Sequence, residues 1–441
     1  MPRPTVSPRR PIAHPAARRL SRRSFLAVAG ISVAGALAAC SGAPTGTKHL
    51  RLSSWNIPLD LESYQALADE FVASHPGTSV AVEVTTGQFH QWFITRLAAD
   101  LAPDIIRITP QQIGRYAANG SLVDLTGTVP PEYEDDYSKP FWAIGAKADG
   151  LFGVFQHTDN FITYYDKQVI EQIGVEVPQT LDEAWHWDQF LEIAREAQRV
   201  TGRYGFGYGW SGPETAYRWM PVVYQNGGAF LGEDGETPSM DTDAAVGALE
   251  FGRRWYADGL VSRANMSKSG GGAVGRDLFA TGQTGLLLDN PEAIAALDEA
   301  RPGEWGTTFM IRNSGEASDL GGNALAVTRS SKNPELAAEL VAFLTTRTNV
   351  AEFCRRGNWL PARSSLDAAD IGYERHEATM QQFIDQATTI PLSMVRAQSG
   401  PYFSSLNSVF ADYLDLCFLG ELSPAECGAQ MTEAMRSVTT R

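Results

Sequence analysis

Apolar residues recur along this chain with two periods, and the switches between them mark out its elements. Leu50, Leu52 and Trp55 belong to a short run that reads as a strand. From Leu61 to Ser74 the apolar positions are Leu61, Tyr64, Leu67, Ala68, Phe71 and Val72, the spacing of one helix face. His75-Pro76-Gly77 ends that helix, and Val80 to Val84 alternates as a second strand. A second amphipathic helix follows from Trp92 to Leu101. Pro103 to Ile108 makes a third strand, and a helix from Gln111 to Asn119 closes at Gly120. Strands alternating with helices imply parallel β-α-β units and a sheet covered on both faces, hence an α/β fold.

The pattern continues with a strand pair, Gly150–Phe155 and Phe161–Tyr165, and a short helix, Val169–Ile173, stopped by Gly174. Trp187 leads a long helix to Val200. Asp241 to Asp258 is helical, with Asp241 or Thr242 able to cap it and Gly259 to close it. Ser262 to Asp277 is polar and Gly-rich and reads as a mobile surface loop. Thr284–Leu288 and Ala324–Thr328 read as strands, Pro334–Thr345 as a helix, and Val409–Phe418 with Pro424–Thr439 as a C-terminal helical pair. No internal repeat and no second long apolar span occurs.

The N-terminus breaks from this pattern. Residues 1–39 hold seven arginines and no acid, and Phe25 to Ala39 is apolar, too short to span a bilayer of about 20 residues. These are the parts of a signal peptide. Ser21-Arg22-Arg23-Ser24-Phe25-Leu26 resembles a twin-arginine export signal, and Leu37-Ala38-Ala39-Cys40 resembles the lipobox of bacterial lipoproteins. That resemblance implies export in the folded state, a lipid on Cys40, and a polar tether over residues 40–48, on the extracytoplasmic face of the cell membrane.

Composition narrows the rest. Setting the leader's arginines aside leaves 29 basic against 51 acidic residues, a formal charge of −22. That argues against nucleic acid, which needs a basic surface. About 400 residues exceed one ordinary core, so about two domains are expected. Cys354, Cys417 and Cys427 show no metal-ligand spacing, and no metal or cofactor is expected. A bridge between Cys417 and Cys427, which flank a helix-to-helix turn, is left open, with Cys354 read as a buried thiol.

Several segments in order resemble one family, the extracellular sugar-binding proteins of ABC importers, of the maltose- and glycerophosphodiester-binding type. They include Leu67-Ala68-Asp69-Glu70-Phe71 with His75-Pro76-Gly77, Ala102-Pro103-Asp104-Ile105, Ala117-Ala118-Asn119-Gly120, Tyr164-Tyr165-Asp166-Lys167, Gln225-Asn226-Gly227-Gly228, Phe279-Ala280-Thr281-Gly282 and Leu360-Pro361-Ala362-Arg363. The resemblance covers nearly all of residues 50–440. It implies a periplasmic-binding-protein-like fold: two α/β lobes joined by a hinge, with a ligand cleft between them. Residues 49–162 and 326–361 would form the N-terminal lobe, and 163–325 and 362–441 the C-terminal lobe. The chain would cross near Ile162–Tyr165, Asn323–Thr328 and Pro361–Arg363. The implied partners are a carbohydrate and the permease subunits of the importer, and the chain is expected to be a monomer.

A sugar presents flat C–H faces and a rim of hydroxyls, which aromatic rings and polar side chains can match. Trp55 and Asn56 follow the first strand, where open α/β sheets place ligands. Trp210 follows a Gly-rich turn. By position in the family pattern, His90, Asp159, Asn160, Asp289, Asn290, Gly322, Asn323, Arg396 and Tyr402 join them as candidate ligand-binding residues. Each has a plainer reading: a loop histidine, a turn pair, a helix cap before Pro291, a glycine turn, a surface ion pair. Missing from the pattern is the Pro-rich strand of many relatives, replaced here by Thr307-Thr308-Phe309-Met310-Ile311, which leaves the ligand's length open.

An exported carbohydrate-active hydrolase is the rival reading. Gly209-Trp210-Ser211-Gly212-Pro213 lacks the final glycine of a nucleophile elbow. Gly270-Gly271-Gly272-Ala273-Val274-Gly275 follows no strand, so it fails as a dinucleotide loop. No catalytic residue is assigned. A neutral sugar is favoured over a phosphate-bearing ligand, because Arg396 alone supplies few fixed cations.

Overall fold

The computed structural model describes residues 48–210, 212–268 and 273–439. The export signal, Cys40 and its tether as far as Thr47, Ser211 and residues 269–272 lie outside the described residues. The main strands are β1 (Lys48–Ser54), β2 (Thr78–Val84), β3 (Ile105–Ile108), β4 (Val154–Thr158), β5 (Ile162–Asp166), β6 (Tyr204–Tyr208), β7 (Thr284–Asp289), β8 (Trp305–Thr308), β9 (Asn323–Val327) and β10 (Leu360–Pro361). They build two sheets, one of order β10-β4-β9-β3-β1-β2 and one of order β8-β5-β7-β6. β1 runs parallel to β3, with Leu52 opposite Ile105, while β9 is antiparallel to both β3 and β4. In the second sheet β6 and β7 are parallel, and β5 is antiparallel to β7 and β8. Both sheets are therefore mixed.

The helices that matter here are α1 (Pro58–Ser74), α2 (Phe89–Ala98), α3 (Pro110–Ala118), α4 (Lys139–Gly145), α5 (Lys167–Ile173), α6 (Trp187–Thr201), α7 (Asp243–Ala257), α8 (Val274–Ala280), α9 (Ala293–Ala300), α10 (Pro334–Leu344), α11 (Arg347–Gly357), α12 (Glu377–Ala387), α13 (Leu392–Gln398), α14 (Phe403–Leu419) and α15 (Pro424–Thr439). Their ends follow local chemistry. Asp166 caps α5 by accepting from the Val169 amide at 2.9 Å, and Gly174 closes it at φ 73°. Thr242, of the two residues able to cap α7, accepts from the Ala245 amide at 3.4 Å. All four residues of β3 and all six of β7 are buried, as strands covered on both faces must be. No helix among the described residues is long and apolar enough to cross a membrane.

The chain moves between the sheets at few points. β4 ends in the first sheet at Thr158 and β5 opens the second at Ile162, so three residues, Asp159 to Phe161, span the gap. The stretch expected as a strand pair, Gly150–Phe155 with Phe161–Tyr165, therefore does not pair. The larger strands on either side of the link belong to different sheets, and Gly150–Leu151 pairs instead with Ala146–Lys147. Residues 309–322 carry the chain back from β8 to β9, and the chain leaves the first sheet again after β10.

One further expectation is corrected, and one open question is answered. The segment Ser262–Asp277 is not a mobile loop where it is described. Asn265 is buried and exchanges hydrogen bonds with the Tyr208 backbone, 2.8 Å each way, Ser267 reaches Asp415 at 2.7 Å, and α8 begins at Val274. Cys417 and Cys427 are buried free thiols with no bridge between them, as is Cys354.

Candidate functional site

The facing ends of the two sheets meet around the Asp159–Phe161 crossing. On the first-lobe side Trp55 emerges from the end of β1. It is half-buried, its indole N–H donates to Asn323 Oδ1 at 3.2 Å, and Phe89 meets its ring edge-on at 5.4 Å. Asn56 beside it is exposed. Behind them lies a buried cation. Arg107 pairs with Asp60, and its Nη atoms reach Ser54 Oγ at 3.2 Å and His157 Nε2 at 3.0 Å. Asp60 also accepts from the Trp359 indole at 2.8 Å. Burial, and then the Arg107 charge, push the His157 imidazole well below its ordinary pKa. It is thus neutral, accepting at Nε2 from Arg107 and carrying its proton on Nδ1.

The crossing itself is an ionic knot. Arg218 donates to Asp159 Oδ1 at 2.8 Å and also pairs with Asp319. Asp319 further accepts from the Phe161 amide at 2.6 Å. Burial lifts the Asp319 carboxyl to about 7 despite the guanidinium beside it. Gly321 and Gly322 close over this knot, their amides donating to the Asp159 backbone oxygen at 2.8 Å and to Asp159 Oδ2 at 3.1 Å. A Cβ at Gly321 would sit 1.9 Å from Asp159 Oδ1, and one at Gly322 would sit 2.2 Å from the His157 carbonyl oxygen at φ 90°. The bare backbone serves the chain's own crossing there. Asn160 stands inside the same link, fully buried, with neither amide atom hydrogen-bonded within the protein.

On the second-lobe side Asp289 ends β7. Arg276 of α8 holds it with two bonds, 2.9 and 3.1 Å, and also reaches Asn290 Oδ1 at 3.3 Å. The Asn290 carbonyl accepts from the Tyr164 hydroxyl at 2.9 Å. Glu292, two residues on, lies 3.8 Å from Arg276 and keeps 48% of its side chain exposed. Its carboxyl is raised by burial among its neighbours and then by Asp159.

The remaining candidates fall elsewhere. Trp210 is 1% exposed, packed in the core at a tilt against Tyr208, its N–H donating to the Asn265 carbonyl at 3.1 Å. Its ring has no free face, so the Gly-rich approach did not signal an open site. His90 bonds the Tyr116 hydroxyl at 2.6 Å and shares a cavity of about 280 Å³ with Gln112 and Ser404, on the seam where α3 meets α14. Arg396 is exposed on α13, and Tyr402, 45% exposed, lines a groove with the Asp234–Pro238 turn. Neither stands at the crossing.

Residues passed over in the sequence complete the picture. Arg218, Arg276, Glu292 and Asp319 surround the crossing with Asp159 and Asp289, and Gln111 ties the start of α3 to the Leu320 carbonyl at 3.1 Å. A second seam cavity of about 460 Å³ lies between Glu62 and Ser63 of α1 and Ile294 and Asp298 of α9. Among the described residues no group of His, Cys, Asp or Glu is placed to hold a metal ion.

Two sheets linked by short crossings, with polar side chains gathered where their ends face, define a two-lobed α/β binding protein. Residues 57–351 match the family model of the bacterial extracellular solute-binding proteins, and the chain belongs to that family. It is 29% identical over 181 residues to an uncharacterized lipoprotein of Streptomyces antibioticus, a match spanning 40% of this chain and 39% of that protein. It is 24% identical over 388 residues to the galactooligosaccharide-binding protein of Bacillus subtilis, covering 83% of this chain and 87% of that one. In fold it resembles the GacH receptor of Streptomyces glaucescens (TM-score 0.74, 20% identity, 89% and 99% of the two chains). It is equally similar to the cyclic alpha-maltosyl-1,6-maltose binding protein of Arthrobacter globiformis (TM-score 0.75, 20% identity, the same coverage).

Proposed function

We propose that this protein captures a neutral mono- or oligosaccharide between its lobes and delivers it to the permease of an ABC importer. The observation that carries the reading is the half-buried Trp55 at the end of β1, its indole N–H held by Asn323. A tryptophan at the strand end offers an apolar face for a sugar ring. Glu292 supplies a half-exposed acceptor on the opposite wall. The relatives' names support the class: one binds galactooligosaccharide, another, of Streptomyces coelicolor, diacetylchitobiose.

Capture proceeds by closure. The lobes exchange chain at Asp159–Phe161, at residues 309–322 and after β10, and these links form the hinge. A sugar that touches both lobes favours the closed arrangement by its differential affinity, and the importer reads that arrangement. The protein works outside the cytoplasmic membrane, tethered through Cys40 after export by the twin-arginine route, and acts as a monomer. The carboxylates near Glu292 are committed to arginines, and Asp319 is sealed from solvent, so the acid and base that a glycosidase aims across its cleft are not assembled there. Titration with a panel of oligosaccharides tests the reading. Saturable one-to-one binding with the sugar recovered intact is expected; turnover would assign the chain to the hydrolases instead.

A further inference from the structure

A cavity of about 790 Å³ lies away from the crossing, where α3 and α4 meet α13. Helices α3 and α4, the turn after α4, and α13 with the bend that follows it form its walls. One wall is aromatic: Tyr137 and Trp142 pack with ring centres 5.5 Å apart. Another is made of small residues, Ala117, Ala118, Ala143 and Ala146. Into this cavity comes Lys147. Its ammonium donates to the Ala143 carbonyl at 3.2 Å and to Ser399 Oγ at 2.9 Å, both neutral acceptors, and it forms no ion pair among the described residues. Burial without a counter-ion lowers its pKa to about 8. Tyr137 is 5% exposed, and its hydroxyl has no hydrogen-bond partner within the protein. Lys139 and Arg396 add two cations at the edge, against Glu134 and Asp149, so the cavity carries one excess positive charge on a chain with a formal charge of −15.

We propose that this cavity is a second binding site, separate from the sugar cleft, for a small organic anion with a flat apolar body. The anionic group meets the Lys147 ammonium, and the apolar body lies along Trp142 and the alanines. The charge balance favours this occupant over a neutral one. An ammonium held by two neutral acceptors gains most from a carboxylate, which turns a partly deprotonated lysine into a paired one. Because the cavity joins α4 to the bend between α13 and α14 through the Lys147–Ser399 bond, occupancy would also fix the second lobe's α14 against the first.

The probe is benzoate, with benzamide as its neutral isostere and inorganic phosphate as a bare anion, titrated calorimetrically into the full chain at pH 8. Benzoate is expected to bind at least tenfold more tightly than benzamide or phosphate and to take up as much as about half a proton as Lys147 becomes fully charged. Repeating the titration in buffers of different ionisation enthalpy reads that uptake directly. Lys147→Met should abolish both the preference and the uptake, and Lys147→Arg should keep the preference. Equal binding of benzoate and benzamide, phosphate binding as well as benzoate, no benzoate binding at all, or an unchanged affinity in a folded Lys147→Met protein would each overturn the assignment. Sugar binding plays no part in these readouts, so they stand apart from the test of the cleft.

Discussion

The two lobes solve the same electrostatic problem in different ways. Each buries an arginine near the facing strand ends. In the first lobe Arg107 has one carboxylate, Asp60, and a neutral His157, so the charges cancel and the indole of Trp359 completes the shell. At the crossing and in the second lobe, Arg218 and Arg276 face four carboxylates, Asp159, Asp289, Glu292 and Asp319. That side carries two excess negative charges, and the Asp319 carboxyl is raised to about 7 in consequence of its burial. The contrast separates a platform from a responsive wall. The first lobe holds Trp55 on a balanced base, while the second keeps surplus acceptors near the hinge.

Removing one arginine from each lobe should show this contrast most strongly. Arg218→Met leaves Asp159 and Asp319 buried together without a cation, and a loss of roughly 3–5 kcal/mol is expected in urea denaturation. Arg107→Met strands only Asp60, still bonded to Trp359, and should cost less. If the two losses are equal, the asymmetry has no energetic meaning. The Asp319 shift adds a pH signature. Its folded pKa, about 7, lies above the ordinary 3.8, so the folded state holds the proton more tightly. Its contribution to stability is complete below about pH 4 and is lost as pH rises through 7. Asp319→Asn should flatten stability across that window.

Smaller effects concern the sugar. Trp55→Ala should weaken saccharide binding about tenfold or more with little change in melting temperature, since Trp55 is only half-buried. Glu292→Gln should weaken it about threefold and leave the fold unchanged. Trp210→Phe should do the reverse, costing about 1–2 kcal/mol through lost packing and one lost hydrogen bond to the Asn265 carbonyl, which keeps the Tyr256 hydroxyl as donor, with affinity altered less than about twofold. An affinity loss with Trp210→Phe comparable to that of Trp55→Ala would place the core tryptophan in the site after all.

Much of the first lobe was legible because its helices show clean apolar stripes and its strands begin and end at Pro and Gly. The second lobe hid more. Tyr204–Tyr208 was passed over, with only a Gly-rich turn read before Trp210, yet it is a buried strand. Its glycines mark close packing: a Cβ at Gly205 would lie 2.4 Å from the Ala194 carbonyl oxygen of α6, and one at Gly207 would lie 2.5 Å from the backbone of Gly275 in α8. Helix α12 went unnoticed there, as did α11 in the first lobe, their polar residues masking the stripe. At the site, Trp55 and Asn323 could be picked out by strand-end position. Arg218 with Asp159 and Asp319, or Arg276 with Asp289, could not, because pairs separated by 13 to 101 residues leave no local periodicity to read. The same blindness made Asp289 look like a free carboxylate, although Arg276 holds both of its oxygens.

The most direct measurement is a calorimetric titration of the wild-type chain and the Trp55→Ala variant with galacto-, arabino-, malto- and chito-oligosaccharides. The account expects at least one sugar to saturate the wild type at one site and to lose about tenfold or more in affinity against the variant. No binding by any of these sugars at millimolar concentration, or equal affinity in both proteins, would contradict it.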